Sequence, residues 1–205
     1  MMRTASLLLT LLLLVLAPLG ARAECRYDSG SSTPVTFALP MTISIAANTP
    51  DGTVLATSAQ ANPASPPTIT CGSYRRNGRW QESAETMTYG VANVRGGYLA
   101  DNLTYATGIP GISYRITHPS AYLTAYPLNN TSIDHTTFSV TSGLELIKTG
   151  SIASGSVLAA GKLGDWRWDD SSGNTLGPET SVLGNSVTFT TPSCTIVTNP
   201  IDVAL

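Results

Sequence analysis

Six consecutive residues concentrate the chemistry of this sequence: Asp165, Trp166, Arg167, Trp168, Asp169 and Asp170. Indole rings offer flat apolar faces, carboxylates accept hydrogen bonds, and a guanidinium donates through a rigid fork. Together they suit a hydroxyl-bearing ring with an apolar face, such as a sugar. A second cluster lies in the stretch Tyr74-Arg75-Arg76-Asn77-Gly78-Arg79-Trp80. Arg76, Arg79 and Trp80 there could contact an anionic glycan or a protein ligand. Tyr122 and Tyr126 flank a further loop. Each cluster also has a structural reading. Trp166 and Trp168 are two apart, so on a strand they share one face and pack in the core while the aspartates are solvated. The arginine-rich stretch also reads as a solvated hairpin tip, with Trp80 covering the edge of the core.

Enzymatic chemistry is hard to place. The sequence holds two histidines, His118 and His135, and both read as loop or strand-edge residues. It lacks a CxxC pair, an HExxH helix, a GxSxG elbow and a phosphate-binding glycine loop. We therefore expect neither a catalytic site, nor a metal, nor a cofactor. A formal net charge of −2 argues against nucleic acid, whose binders carry basic surfaces.

The elements that hold these residues are strands. Gly, Pro, Ser, Thr and Asn are abundant, lysine occurs only at 148 and 162, and no helical stripe of useful length appears. Residues 1–23 read as a cleaved signal peptide: Arg3, an apolar run over 7–16, then Ala21-Arg22-Ala23 as the cleavage signature. That run is too short for a membrane anchor, and no later segment could span a bilayer. Val35, Phe37 and Leu39 alternate with small or polar residues, as do Met41, Ile43 and Ile45. This is the period of strands with one buried face. Pro40 between the two runs predicts a kink or a switch of sheets. Further strands are expected over 53–56, 68–71, 85–91, 103–107, 112–117, 136–141, 144–148, 156–162 and 186–191, with 165–179 as a polar loop. Many short strands punctuated by Gly, Pro, Asn and Asp suggest an antiparallel sandwich or barrel.

Three cysteines in an exported chain leave one over. A Cys25–Cys71 bridge would close a loop of about 46 residues, worth roughly 4 kcal/mol on the chain-entropy model, and would tie down the amino terminus. Cys194 would then be a free thiol, a dimer bridge, or half of a pair whose partner lies in a region not in this sequence. The run Ile201-Asp202-Val203-Ala204-Leu205 behind it alternates like a fresh strand and favours the last reading.

Four segments in order resemble the receptor-binding half of two-domain tip adhesins of bacterial chaperone–usher fimbriae. They are the cysteines Cys25 and Cys71; Gly108-Ile109-Pro110-Gly111-Ile112-Ser113-Tyr114-Arg115-Ile116; the stretch 144–158, with Lys148-Thr149-Gly150 at its centre; and Cys194-Thr195-Ile196-Val197 running on to Leu205. The last is similar to the opening strand of a pilin domain. The likeness is greater to type 3 and minor-tip adhesins than to the mannose-binding type 1 adhesin. The type 1 mannose pocket does not transfer, because Glu24 immediately precedes Cys25 here. The resemblance implies an all-β, immunoglobulin-like antiparallel β-sandwich of the elongated lectin type over 24–192, followed by the first strand of a truncated pilin domain over 193–205. It implies attachment to a carbohydrate or matrix-protein receptor through a non-catalytic site at the fimbrial tip on the cell surface, or a structural role as a minor subunit or tip adaptor. A periplasmic chaperone, an usher and a next pilus subunit would be partners only with a complete pilin domain, which is itself completed by a donated strand.

Overall fold

The computed structural model describes residues 24–75, 77–119, 121–139 and 141–192. The expected leader, the segment 193–205 with Cys194, and the candidate Arg76 lie outside the described residues. Every regular element among the described residues is a strand. In chain order these are β1 (Glu24–Ser29), β2 (Thr33–Phe37), β3 (Thr42–Ser44), β4 (Val54–Thr57), β5 (Thr68–Tyr74) and β6 (Trp80–Glu82). Next come β7 (Glu85–Ala92), β8 (Tyr105–Ala106), β9 (Ile112–His118), β10 (Ala121–Tyr122), β11 (Asn129–Ile133) and β12 (His135–Thr137). The last five are β13 (Gly143–Lys148), β14 (Val157–Leu158), β15 (Gly161–Asp169), β16 (Thr175–Leu183) and β17 (Val187–Thr190).

One five-stranded sheet has the order β11-β7-β15-β16-β2, and another has β10-β9-β13-β4 with β8 added beside β9. A third group joins β1-β5-β12, with β6 on β5, and a fourth joins β14-β17-β3. One core cluster draws side chains from all four: Cys25, Phe37, Ile43 and Leu144 belong to it. The result is an all-β sandwich. Alternation explains its layers, since in β2 Thr33, Val35 and Phe37 are buried while Pro34 and Thr36 are exposed.

Pro40 marks a change of sheet. β2 lies in the sheet of β16, whereas β3 pairs with β17. Both pairings are parallel, whereas the other strand-to-strand ladders among the described residues are antiparallel. The two switch points are tied together by Asn185, whose side chain accepts from Leu39 N–H at 3.0 Å and donates to Leu39 C=O at 2.9 Å. Met41 belongs to the break rather than to the buried face expected of it, and is 76% exposed.

The disulfide links Cys25 and Cys71, which stand directly opposite each other in the β1–β5 ladder, and both are fully buried. Several expectations need correction. The stretch 165–179 is not a loop: it is the end of β15, a turn, and the start of β16. Its turn-forming residues serve a tight turn after Asp169 and a bulge at Gly177-Pro178, where the register jumps between Trp166↔Glu179 and Trp168↔Leu176. The expected strand 156–162 is split between β14 and β15, and 136–141 shrinks to β12. His118 is not an edge residue. It ends β9 with its side chain 11% exposed, against the Trp166 ring.

Candidate ligand-binding site

The β15 strand divides the Asp/Trp segment between two faces. Trp166 and Trp168 point inward and are 8% and 6% exposed. Trp168 stacks on Tyr89, its direct neighbour on β7, at 4.7 Å and 14°. Phe138 meets both indoles edge-on, at 5.5 and 5.2 Å. The pleat therefore sends Asp165, Arg167 and Asp169 to the outer face.

On that face Arg167 is the centre. Its Nε donates to both oxygens of Asp169 at 2.9 and 3.1 Å, and its Nη2 donates to Oδ2 at 2.6 Å. The guanidinium lies over the Tyr126 ring at 4.6 Å, and Tyr126 OH donates to Asp169 Oδ2 at 2.5 Å. This closes a triangle of Arg167, Asp169 and Tyr126. Tyr126 can come so near because the residue opposite Arg167 on β7 is Gly90. A Cβ on Gly90 would fall 2.5 Å from the Tyr126 backbone. Tyr98, 44% exposed, stands within electrostatic reach of Arg167. Asp165 is held by Lys162 at 2.5 Å, by Asn93 at 2.9 Å and by Thr180 at 2.9 Å.

The outer face is concave beside Arg167. A cleft of about 270 Å³ opens between Asn93, Asp165 and Arg167 on one side and Tyr27, Thr175 and Gly177 on the other. Gly177 borders open space, for a Cβ there would meet nothing within 4 Å. Tyr27 OH accepts from Gly177 N–H at 3.1 Å and fixes the far wall.

The electrostatics favour permanent charge. Burial works to raise the Asp169 carboxyl, but hydrogen bonds from Arg167, Tyr126 and Thr175 outweigh it and hold it below the usual carboxylate range. Asp165 is likewise raised by burial and pulled lower by Lys162, Asn93 and Thr180. The hydrogen bond to Asp169 raises Arg167 above its ordinary value, and raises the Tyr126 phenol as well. The site thus presents two ionised carboxylates, one guanidinium and phenolic rings at neutral pH. Such a set can accept from and donate to vicinal hydroxyls, with an aromatic face alongside.

The remaining sequence candidates divide. Asp170 is 6% exposed and structural: its carboxylate accepts from the N–H groups of Ser172, Asn174 and Cys25 at 3.0, 2.8 and 2.8 Å. It therefore shapes the β15–β16 turn and ties β1 to it. Trp80 pairs with Tyr74 across the β5–β6 hairpin, edge-on at 5.2 Å, and carries Arg26 over its ring at 4.1 Å. Arg79 is exposed at that hairpin tip, and Tyr74 is 56% exposed. Tyr122 lies on the other five-stranded sheet. Sequence reading gave Tyr126 little weight and omitted Tyr98, Asn93, Tyr27 and Gly177. Asn93 holds a left-handed backbone at φ 52°, a region that asparagine tolerates.

A serine, a histidine and a carboxylate do meet inside. Ser142 Oγ donates to Glu179 Oε1 at 2.9 Å, and His118 Nε2 lies 3.9 Å from Glu179 Oε2. Desolvation alone pushes the His118 imidazole down to about 4. It pushes Glu179 up to about 7, partly countered by Ser142. Both shifts favour the uncharged forms, so burial works against an ion pair here. Ser142 and Glu179 are 0% and 2% exposed, sealed from any substrate.

No model of a known family matches the chain, and no curated protein does. Among solved structures, the receptor-binding domain of the plasmid-born adhesin MrkD1P of Klebsiella pneumoniae aligns at a TM-score of 0.59 with 21% identity. That alignment covers 86% of this chain and 100% of that one. The ambient temperature fimbriae adhesin AtfE of Proteus mirabilis aligns at 0.42 with 13% identity, over 78% and 99% of the two chains. The CupB6 tip adhesin from Pseudomonas aeruginosa aligns at 0.38 with 16% identity, over 85% and 48%. The fold that presents the Arg167 site is therefore similar to that of the MrkD1P domain.

Proposed function

We propose that this chain carries the receptor-binding domain of a fimbrial tip adhesin and binds a carbohydrate at the outer face of β15 without catalysis. The fold likeness supports the first half. The observation that carries the second is the Arg167–Asp169–Tyr126 triangle at the edge of an open cleft. A sugar ring presents an apolar C–H face and a rim of hydroxyls. The exposed Tyr98 ring suits the face, and planar, charge-assisted donors and acceptors suit the rim. The groups are held in place before any ligand arrives, which lowers the ordering cost of binding.

The natural route for such a protein is export behind the leader and display at a fimbrial tip. A glycan array probed with the secreted chain, beside a panel of matrix proteins, tests the reading. We expect a saturable glycan signal that falls at least tenfold in Arg167→Ala. Assembly into fimbriae with no ligand on either panel would favour a structural adaptor instead. Binding that is unchanged in Arg167→Ala would move the site elsewhere.

A further inference from the structure

The other five-stranded sheet carries a second cleft that the reading above does not use. Its volume is about 300 Å³, and it is lined by Thr57, Gln60, Thr117, Pro119, Tyr122 and Glu145. Strand register explains why these residues meet. Glu145 on β13 stands opposite Arg115 on β9 and opposite Thr57 on β4. Thr117 stands opposite Tyr122 on β10 and opposite Gly143 on β13. Directly opposed residues share a sheet face, so this row lies on one surface.

Three features make it a built site rather than a dent. A glycine backs two of the lining residues: a Cβ on Gly143 would fall 2.5 Å from Gln60 Nε2 and 2.6 Å from Thr117 Oγ1. The absent side chain lets an amide and a hydroxyl both pack close to the backbone of β13. The wall is a held aromatic ring. Tyr122 is 39% exposed, and the Arg115 guanidinium lies 5.0 Å from its centroid. Arg115 is itself fixed by Thr104 Oγ1 at 2.9 Å and Asp101 Oδ2 at 3.5 Å. Finally, Glu145 Oε2 is shielded from solvent and has no hydrogen-bond partner among the described residues. A shielded acceptor without a partner costs free energy that a bound donor would recover.

The charges narrow the ligand. Glu145 opposes an anion, and Arg115 beside it opposes a cation. What remains is a neutral molecule with several hydroxyls and an apolar face. Gln60, Thr57 and Thr117 can each donate and accept, Glu145 accepts, and Tyr122 offers a ring. We infer that this cleft is a second, independent binding site for a neutral saccharide residue, on the opposite face of the sandwich from Arg167. A domain with two such sites could hold two residues of a branched or clustered glycan. Avidity would then exceed either affinity by about 10²–10⁴ where the spacing permits. The inference shares the glycan reading of the domain but not its site, so the two stand or fall separately.

The test is a site-resolved titration of the isotopically labelled chain. The probes are the methyl glycosides of galactose, glucose, mannose, fucose and N-acetylglucosamine, each at millimolar concentration. We expect at least one to shift the amide signals of Gln60, Thr117, Tyr122 and Glu145 saturably. Glu145→Gln should weaken that response at least tenfold, and Tyr122→Ala likewise, with the thermal unfolding midpoint of each variant recorded beside it. Arg167→Ala should leave it unchanged. Gly143→Ala should abolish it by pushing Gln60 into the cleft, and Glu145→Gln serves alone if Gly143→Ala does not fold. Shifts confined to the neighbours of Arg167 would overturn the second site and leave the first standing. Silence at both sites across the panel, or a Glu145→Gln response equal to that of the parent, would overturn it too. Shifts here with silence around Arg167 would support this site and remove the other.

Discussion

The two faces of β15 contrast within nine residues. The inner face buries Trp166 and Trp168 among Tyr89 and Phe138. The outer face sets Asp165, Arg167 and Asp169 in a chain of charge-assisted hydrogen bonds beside a cleft. The same backbone positions both, because successive side chains point to opposite faces. Packing on one side is what makes the other side rigid. An arginine on a strand backed by two indoles has little freedom to drift, so its fork stays aimed. A division of labour follows: changes to the inner face should move stability, and changes to the outer face should move binding.

The largest effect should come from Trp168→Ala. It removes a nearly buried indole that stacks on Tyr89, and large-to-small core changes of this kind cost about 3–5 kcal/mol. Urea unfolding should show a much lower midpoint, with Trp168→Phe in between. If Trp168→Ala unfolds like the parent but loses ligand, the inner face is part of the site and the contrast fails.

The next effect exposes a polar flaw in the inner face. Glu179 stands opposite Trp166, so the pleat directs it inward, where it meets Ser142 and His118. Its folded pKa, about 7, lies above the ordinary 4.5. The stability this gives is complete below pH 4.5 and is lost as pH rises through 7. His118 behaves oppositely. Its folded value of about 4 lies below 6.5, so its contribution is complete above pH 6.5 and is lost as pH falls through 4. Each shift is worth about 3 kcal/mol over its window. Between pH 4.5 and 6.5 the two slopes cancel in the parent. Glu179→Gln should leave the histidine slope alone, so stability falls toward acid. His118→Gln should leave the glutamate slope, so stability falls toward alkali. Chemical unfolding at four or five pH values checks both. Parallel flat profiles in the two variants would mean that neither group is desolvated as described.

Arg167→Ala is the reverse case. Its side chain is 37% exposed, and partly exposed ion pairs contribute about 0–1 kcal/mol. Unfolding should shift by no more than that, while glycan binding falls at least tenfold. A loss of stability matching Trp168→Ala would show that the outer triangle is structural.

Much of this was legible in the sequence, and the misses have physical causes. Alternation at Val35-Phe37-Leu39, the sheet switch at Pro40 and the Cys25–Cys71 bridge all follow from local rules. The spacing of Trp166 and Trp168 already offered the strand reading. It was outweighed by Asp, Gly, Asn and Pro over 165–179, residues that mark turns when read locally. Here they serve one five-residue turn and one bulge in the middle of a long hairpin. Such reasoning names Tyr126 only as the flank of a loop, and Tyr98 is invisible to it. Tyr126 reaches Arg167 because a loop crosses the sheet at Gly90, a long-range contact with no local signature. Glu179 was missed in the same way, since only the register with Trp166 reveals which way it faces.

The smallest change is the finest probe of the outer face. Tyr126→Phe keeps the ring beneath the Arg167 guanidinium but deletes the hydroxyl that donates to Asp169. Stability should fall by about 1 kcal/mol, the usual net contribution of one hydrogen bond at a half-buried site. The informative quantity is the Asp169 carboxyl, which Arg167, Tyr126 and Thr175 hold down against the opposing effect of burial, with Arg167 the strongest of the three. Deleting the phenol should let its pKa rise, and deleting the guanidinium should let it rise further. A carboxyl-detected titration of the two variants ranks them directly. Binding should follow the same order, because both variants loosen the acceptor that the ligand hydroxyls would meet. If Tyr126→Phe raises the Asp169 carboxyl as far as Arg167→Ala does, the phenol rather than the guanidinium orders the site. The centre of the outer face would then lie on the crossing loop and not on β15.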